Sequence, residues 1–418
     1  MASARPSAAP MSYGCPGYVL RGTVITDGSV RTDNVVAVRG DRIVYAGPSN
    51  SYDAGQFKDA SEFTVPDGGA ILPGLVDVHC HGAAGAEFPT GNTDTSRTAV
   101  DFLHDSGTTT LLASLVTASE SDLIRAIQAL KPLVAEGLVA GLHLEGPFLS
   151  RTRCGAQNPI WLKDPDLEML NALLQSAEGT VKTMTYAPEL SGVDELLEIL
   201  IDHGVTPSLG HTDCSAEVAA RSLLTAETAM KRARPTGLAR PTVTHLFNGM
   251  APMHHRLLGP AGACLRVANE GRAAVELIAD GVHLDAQTVL MTFGLVGAEN
   301  ILLVTDSMAA TGLADGNYDL GPSQVSVRQG IARLRDGGSL AGGTATLLDV
   351  VRQTIAAGVA PGDAVLAATA VPARVLGASA HIGSVQRGMK ADLVVVDADF
   401  RPHAVMRSGL FRPGLPAS

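Results

Sequence analysis

Ile71-Leu72-Pro73-Gly74-Leu75-Val76-Asp77-Val78-His79-Cys80-His81-Gly82 is an apolar run that ends in two histidines spaced two positions apart. Side chains alternate along an extended strand, so His79 and His81 share one face and can converge on a point. Two imidazole nitrogens brought together this way suit a metal ion. A buried strand whose histidines only bond to the core would carry the same text, so the decision rests with the rest of the chain. Cys80, between the two, faces the other way and reads as packing.

Working outward from this stretch, apolar or mixed segments alternate with helical, Ala/Leu/Glu-rich text. Candidate strands cover 71–79, 109–116, 139–145, 181–187, 206–211, 242–245, 273–279 and 301–306, with helices expected over 120–131, 194–203, 215–232 and 285–296. Eight such β/α units predict an α/β fold of the (β/α)8 TIM type, whose chemistry sits at the C-terminal ends of the strands. A doubly wound sheet would call for a Gly-rich phosphate turn after an early strand, and the chain has no G-x-G-x-x-G. Short strands separated by turn signals occupy 18–20, 23–25, 34–38 and 42–45, and the same texture returns at 381–385, 391–397 and 403–406. The two chain ends are therefore expected to pair into a small β-sandwich. The expected organisation is a flexible arm at 1–16, the first part of the sandwich at 17–70, the barrel at 71–376 and the second part of the sandwich at 377–418.

Composition narrows the partners. With 31 Lys+Arg against 42 Asp+Glu the net charge is -11, which argues against nucleic acid or an anionic membrane. No apolar run reaches the ~18 residues of a membrane-spanning helix. The five cysteines are scattered without a C-x-x-C pair, so neither a disulfide framework nor a zinc knuckle is indicated, and a cytoplasmic location is expected.

Glu145 closes the third candidate strand, and His211, His245 and Asp306 close the fifth, sixth and eighth. Singly, each has a plain structural reading: a salt bridge for Glu145, core histidines, an N-cap for Asp306. Together with His79 and His81 they would all face one barrel mouth, and the set reads as a metal site. At such a site an ion can activate a bound water and a carboxylate can move its proton. Arg256 offers a fork of donors for an anion, and the backbone at Asn248-Gly249 can approach one closely. Cys154 lies in a basic, Gly-containing loop just after Glu145, where a lid thiol and an ordinary loop thiol are both open readings.

The segments Pro73 to Gly82, Leu144-Glu145-Gly146-Pro147-Phe148-Leu149, Gly155-Ala156-Gln157-Asn158-Pro159, Gly210-His211-Thr212, Thr244-His245-Leu246-Phe247-Asn248-Gly249-Met250, Ile278-Ala279-Asp280-Gly281-Val282-His283 and Val304-Thr305-Asp306 resemble the amidohydrolase superfamily. Within it they are similar to the branch that deacetylates phosphorylated amino sugars. The resemblance implies that Glu145, His211 and His245 hold the principal divalent metal, expected to be zinc, with Asp306 as the catalytic carboxylate. His79 and His81 would permit a second ion, giving one or two per subunit. Gln157 stands where the family commonly has a histidine that binds the substrate carbonyl. Asn248, Gly249, Arg256 and His283 are implied in substrate binding, with Arg256 reaching the site of a partner subunit in a homodimer. The implied reaction is hydrolysis of the acetamide of a 6-phosphorylated N-acetyl amino sugar, in amino-sugar catabolism and cell-wall sugar recycling. The competing expectations are another amidohydrolase, such as a D-aminoacylase or a dihydroorotase-like enzyme, and a non-catalytic barrel scaffold.

Overall fold

A computed structural model describes residues 17–234, 239–321, 323–335 and 338–413. The arm expected at 1–16 lies outside the described residues.

Eight parallel strands form one sheet, each hydrogen-bonded to the next in sequence: Leu75–Cys80, Thr108–Leu115, Gly141–Glu145, Val181–Tyr186, Thr206–Leu209, Thr242–Val243, Ala274–Leu277 and Ile301–Leu303. The seam between the first and eighth strands closes just past the eighth, where Asp306 N–H donates to the His79 carbonyl (2.9 Å) and His81 N–H to the Ser307 carbonyl (2.7 Å). The connecting helices begin where short polar side chains take up their free N–H groups. Ser119, Asp166, Ser215 and Asp285 cap Glu120–Ala135, Leu167–Ala177, Ala216–Ala233 and Ala286–Val296. Each then buries an apolar stripe at helical spacing, such as Leu123, Ile127, Leu130 and Leu133 on the first of these.

The opening stretch is divided between two sheets. Ala70–Pro73 pairs with strands of the chain ends, while Leu75–Cys80 enters the barrel. Gly74 is the crossing point: a Cβ there would stand 2.1 Å from Thr109 Oγ1, and its N–H donates to the Asp392 carbonyl at 2.8 Å. The expectation of one strand over 71–79 is corrected accordingly.

Tyr18–Thr26, Ser29–Arg39, Arg42–Pro48, Ser61–Thr64, Ala70–Pro73, Leu393–Val396, Pro402–Arg407 and Leu410–Phe411 make one sheet drawn from both chain ends. It branches at the first of these strands. Tyr18–Arg21 pair with Ser61–Thr64, and Thr23 and Val24 pair with Ala70 and Ile71. Leu20, Val36, Ile43, Ile71, Val395 and Met406 pack into its apolar cluster. The segment 381–385 is not a strand. It packs as irregular chain, with Val385 in the same cluster and its N–H donating to Thr26 Oγ1 at 3.0 Å.

An antiparallel three-stranded sheet, Gly316–Leu320, Ser323–Arg328 and Ile331–Leu334, follows the eighth barrel strand and was not expected from the sequence. Its strands are short and bury only four residues, Leu320, Val325, Val327 and Ala332, so few apolar positions mark it. Leu320, Val325, Val327 and Ala332 pack on Val116 and Met308, above the barrel mouth.

Candidate metal centre

Six side chains from five barrel strands meet at the C-terminal end of the barrel in two groups: His79, His81 and Asp306, and Glu145, His211 and His245. Within each group the donor atoms lie within 4.8 Å of one another. Glu145 belongs to both in practice. Its Oε1 is 2.9 Å from His211 Nε2 and 3.0 Å from His245 Nε2, and its Oε2 is 3.2 Å from His81 Nε2. Asp306 Oδ1 lies 3.2 Å from His81 Nε2 and 3.5 Å from His79 Nε2.

The local backbone explains how the chain aims these groups. His211, His245 and Asp306 each follow the end of a strand, and each adopts a left-handed backbone, with φ of 48°, 26° and 48°. The turn cuts the fifth, sixth and eighth strands shorter than the sequence pattern predicts. Such conformations cost roughly 1–3 kcal/mol apiece and gather at functional sites. Two glycines shape the wall beside His211. A Cβ at Gly249 would stand 2.9 Å from the ring's Nδ1, and one at Gly155 3.2 Å from its Cε1. Gly249 thus leaves room for an imidazole as well as for a ligand.

The donor chemistry fits a cation. His79 Nδ1 faces Glu276 Oε2 (3.0 Å), His81 Nδ1 faces the Ser114 carbonyl (3.2 Å) and His211 Nδ1 faces the Arg153 carbonyl (2.8 Å). Each of these acceptors takes the Nδ1 proton and leaves a lone pair on Nε2. Yet Nε2 of His79 and His81 are 3.2 Å apart, and Nε2 of His211 and His245 are 3.1 Å apart. The facing lone pairs of His79 and His81, close also to carboxylates, call for positive charge between them, while His245 Nδ1 is buried with no hydrogen-bond partner among the described residues. In the protein alone that charge is a proton. Burial would lower His81, but its bonds to Asp306 and Glu145 overcome this and push it up to about 9. Burial would raise Asp306, yet the charge of His79 and the bond from His81 draw it down to about 2. Glu145 is likewise held well below the usual carboxylate range: burial opposes this, and the His79 charge and the bonds from His211 and His245 prevail.

Two supports were missed in the sequence. Glu276, buried in the seventh strand, accepts from the His79 ring and from the His245 backbone N–H at 3.1 Å. A lone carboxylate inside the apolar run Ala273-Ala274-Val275-Glu276-Leu277-Ile278 was the available signal. His143, beside His79, bonds to Ser114 Oγ at 2.9 Å and Thr185 Oγ1 at 2.8 Å, and burial with the His79 charge drives its pKa well below that of a free histidine.

A cavity of about 320 Å³ opens over the two groups, lined by His81, Glu145, Gln157, His211, His245, Asn248, Gly249, His283 and Asp306. Leu320, Ser339 and Leu340, from the segment after the eighth strand, complete its wall. Gln157 has both ends of its amide in use: Nε2 donates to Glu145 Oε2 at 2.6 Å, and Oε1 accepts from Thr117 N–H at 2.7 Å. His283 Nδ1 faces Asp280 Oδ2 at 2.9 Å. The structure does not bring Arg256 to this cavity. Its side chain is exposed and its Nη1 lies 2.7 Å from His255 Nε2. Cys154 is half-buried beside the lining residues Gly155 and Ala156 without lining the cavity itself.

An α/β barrel with two histidine–carboxylate groups at the C-terminal ends of its strands defines a metal-dependent barrel hydrolase. The model of the amidohydrolase family matches residues 70–411, and the chain belongs to that family. It is similar to N-acetylglucosamine-6-phosphate deacetylase of Bacillus subtilis (strain 168), with 33% identity over 394 residues, covering 90% of this chain and 93% of the relative. The crystal structure of N-acetyl-D-glucosamine-6-phosphate deacetylase from Mycobacterium smegmatis superposes with a TM-score of 0.84 at 35% identity, covering 95% of this chain and 99% of that one. N-acetylgalactosamine-6-phosphate deacetylase of Escherichia coli O157:H7 is 29% identical over 351 residues, 83% of this chain and 88% of the relative.

Proposed function

We propose that this chain hydrolyses the acetamide of N-acetylglucosamine 6-phosphate, giving glucosamine 6-phosphate and acetate, as a zinc-dependent homodimer in the cytoplasm. The observation that carries the reading is the pairing of two donor groups through Glu145 beneath a polar cavity. Similarity to the Bacillus and Mycobacterium deacetylases supports the substrate.

Glu145, His211 and His245 would hold the principal ion and His79 and His81 a second. A divalent cation there supplies Lewis acidity for the amide carbonyl and for an attacking water. Asp306, ionised at neutral pH, takes a proton from that water and returns it to the departing sugar nitrogen, so that a neutral amine leaves. Gln157 holds Glu145 in place from the cavity side, and its amide remains near the acetyl group. His283 and Asn248 line the region assigned to the sugar and its phosphate. Arg256 is assigned to the cavity of a second copy. Exposed apolar side chains flank it, with Met253 46%, Leu257 75% and Leu258 43% exposed, which suits a partner contact. Cys154 is assigned to a loop over the same cavity.

Acetate release tests the reading directly. The expected result is turnover of N-acetylglucosamine 6-phosphate that a chelator removes and zinc restores, with the unphosphorylated sugar far slower and the galactosamine epimer as a comparison. Equal rates on phosphorylated and free sugars, or indifference to chelator, would overturn it. Elemental analysis of the purified protein then gives the number of ions per chain.

A further inference from the structure

The other end of the barrel carries a second cavity of about 230 Å³, at the N-terminal ends of the fourth to sixth strands. Lys182, Arg234, Arg240 and Arg374 line it together with Gly204, Gly377 and Ser379, and none of its described lining residues is acidic. Concentrating four cations in one concavity is unusual in a chain whose net charge is -11.

The arginines are also poorly neutralised. Arg234 Nη2 is buried and has no hydrogen-bond partner among the described residues. Arg240 bonds to neutral groups, the Asn300 side chain and the Glu299 carbonyl (2.5 Å). The Arg374 side chain has no ion pair or hydrogen bond among the described residues, although its backbone carbonyl accepts from Gly377 N–H. Among the described residues Lys182 Nζ donates only to the Gly179 carbonyl, at 2.8 Å. Burial pulls Arg240 down to about 10, with the charge of Arg374 adding to the shift and that of Glu299 opposing it.

Arg234 directly follows the helix Ala216–Ala233, and Arg374 lies in the last turn of Ala370–Val375. A helix C-terminus favours a nearby cation, but that preference is local to each helix. It does not account for three arginines and a lysine lining one cavity.

We infer that this cavity is an anion-binding site for a small phosphate-bearing ligand, either inorganic phosphate or a short phosphomonoester, separate from the catalytic mouth. Guanidinium forks match phosphate oxygens two at a time, and the lysine adds a point charge. The cavity is below the usual size for a drug-sized ligand, so a phosphate with at most a few carbons fits.

Calorimetric titration of the metal-loaded protein with inorganic phosphate, at ionic strength held constant with chloride, tests the assignment. Arg374→Glu should weaken phosphate binding at least tenfold, and Arg374→Gln should weaken it less. Arg256→Ala, which alters the proposed substrate anchor, should leave this affinity within twofold. Melting curves without phosphate check that each variant folds. Tighter binding of glycerol 3-phosphate than of phosphate identifies the ligand as a phosphomonoester, and equal or weaker binding identifies the free ion. If both Arg374 variants bind phosphate as the wild type does, or if the wild type binds none that Arg256→Ala spares, the cluster is only structural and the inference fails.

Discussion

His79, His81 and Asp306 straddle the barrel seam, where backbone bonds between the first strand and the segment after the eighth hold them in register. Glu145, His211 and His245 instead come from three strands on the other side, and the ring of His211 is fixed by a loop carbonyl, that of Arg153. The first group is thus built into the sheet, with Asp77 adding a link through Thr305 Oγ1 at 2.6 Å. The second depends on loop packing against Gly155 and Gly249. Equal donor counts therefore conceal unequal support, and Glu145 joins the groups through its two carboxylate oxygens, Oε1 to His211 and His245 and Oε2 to His81.

The harshest break in this comparison is Glu145→Gln, which removes the shared carboxylate. Acetate release should fall by about a thousandfold or more, and elemental analysis should find less than one ion per chain. Asp306→Asn strikes one group alone. Turnover should drop ~10²–10⁴-fold while the ion held by Glu145, His211 and His245 stays; loss of that ion as well would recast Asp306 as a structural ligand. Glu276→Gln sharpens the contrast further, since Glu276 meets the ring of His79 but only the backbone of His245. Chelator competition should show affinity lowered ~10–100-fold, with the seam-side ion lost before the other.

The smallest expected effect lies outside both groups. Burial pushes Glu87 up to about 8, and its carboxylate accepts from Gly321 N–H at 2.9 Å, anchoring the inserted sheet over the mouth. The folded chain holds this proton more tightly than the unfolded chain does. The stabilising contribution is therefore complete below the ordinary glutamate pKa and is lost as pH rises through about 8. Glu87→Gln should flatten that slope, leaving the variant more stable than wild type above this pH by about 1–3 kcal/mol in denaturant melts. Neither donor group should change its metal content.

That His79, His81, Glu145, His211, His245 and Asp306 gather at one end of the barrel was legible in the sequence, because all six stand at the ends of candidate strands and the set as a whole had no shared structural reading. The helices expected over 120–131, 194–203, 215–232 and 285–296 were legible from their local composition, and helices form there. Glu276 escaped notice because its partners are far from it in sequence, and only the closed barrel brings His79 and His245 to it. The inserted sheet was missed because its strands are short, and 381–385 resembles a strand because apolar residues pack equally well without a ladder.

By itself, then, the sequence determined the barrel, the β layer drawn from both chain ends and the residues able to hold a metal, since these follow from periodicity and side-chain type. Tertiary structure alone decided that Gly74 divides the opening stretch between two sheets, that Gln157 spends its amide on Glu145, and that Arg256 stands away from the cavity while four other cations gather at the opposite end. Each of those outcomes depends on the distance between groups remote in the chain, which no local pattern encodes.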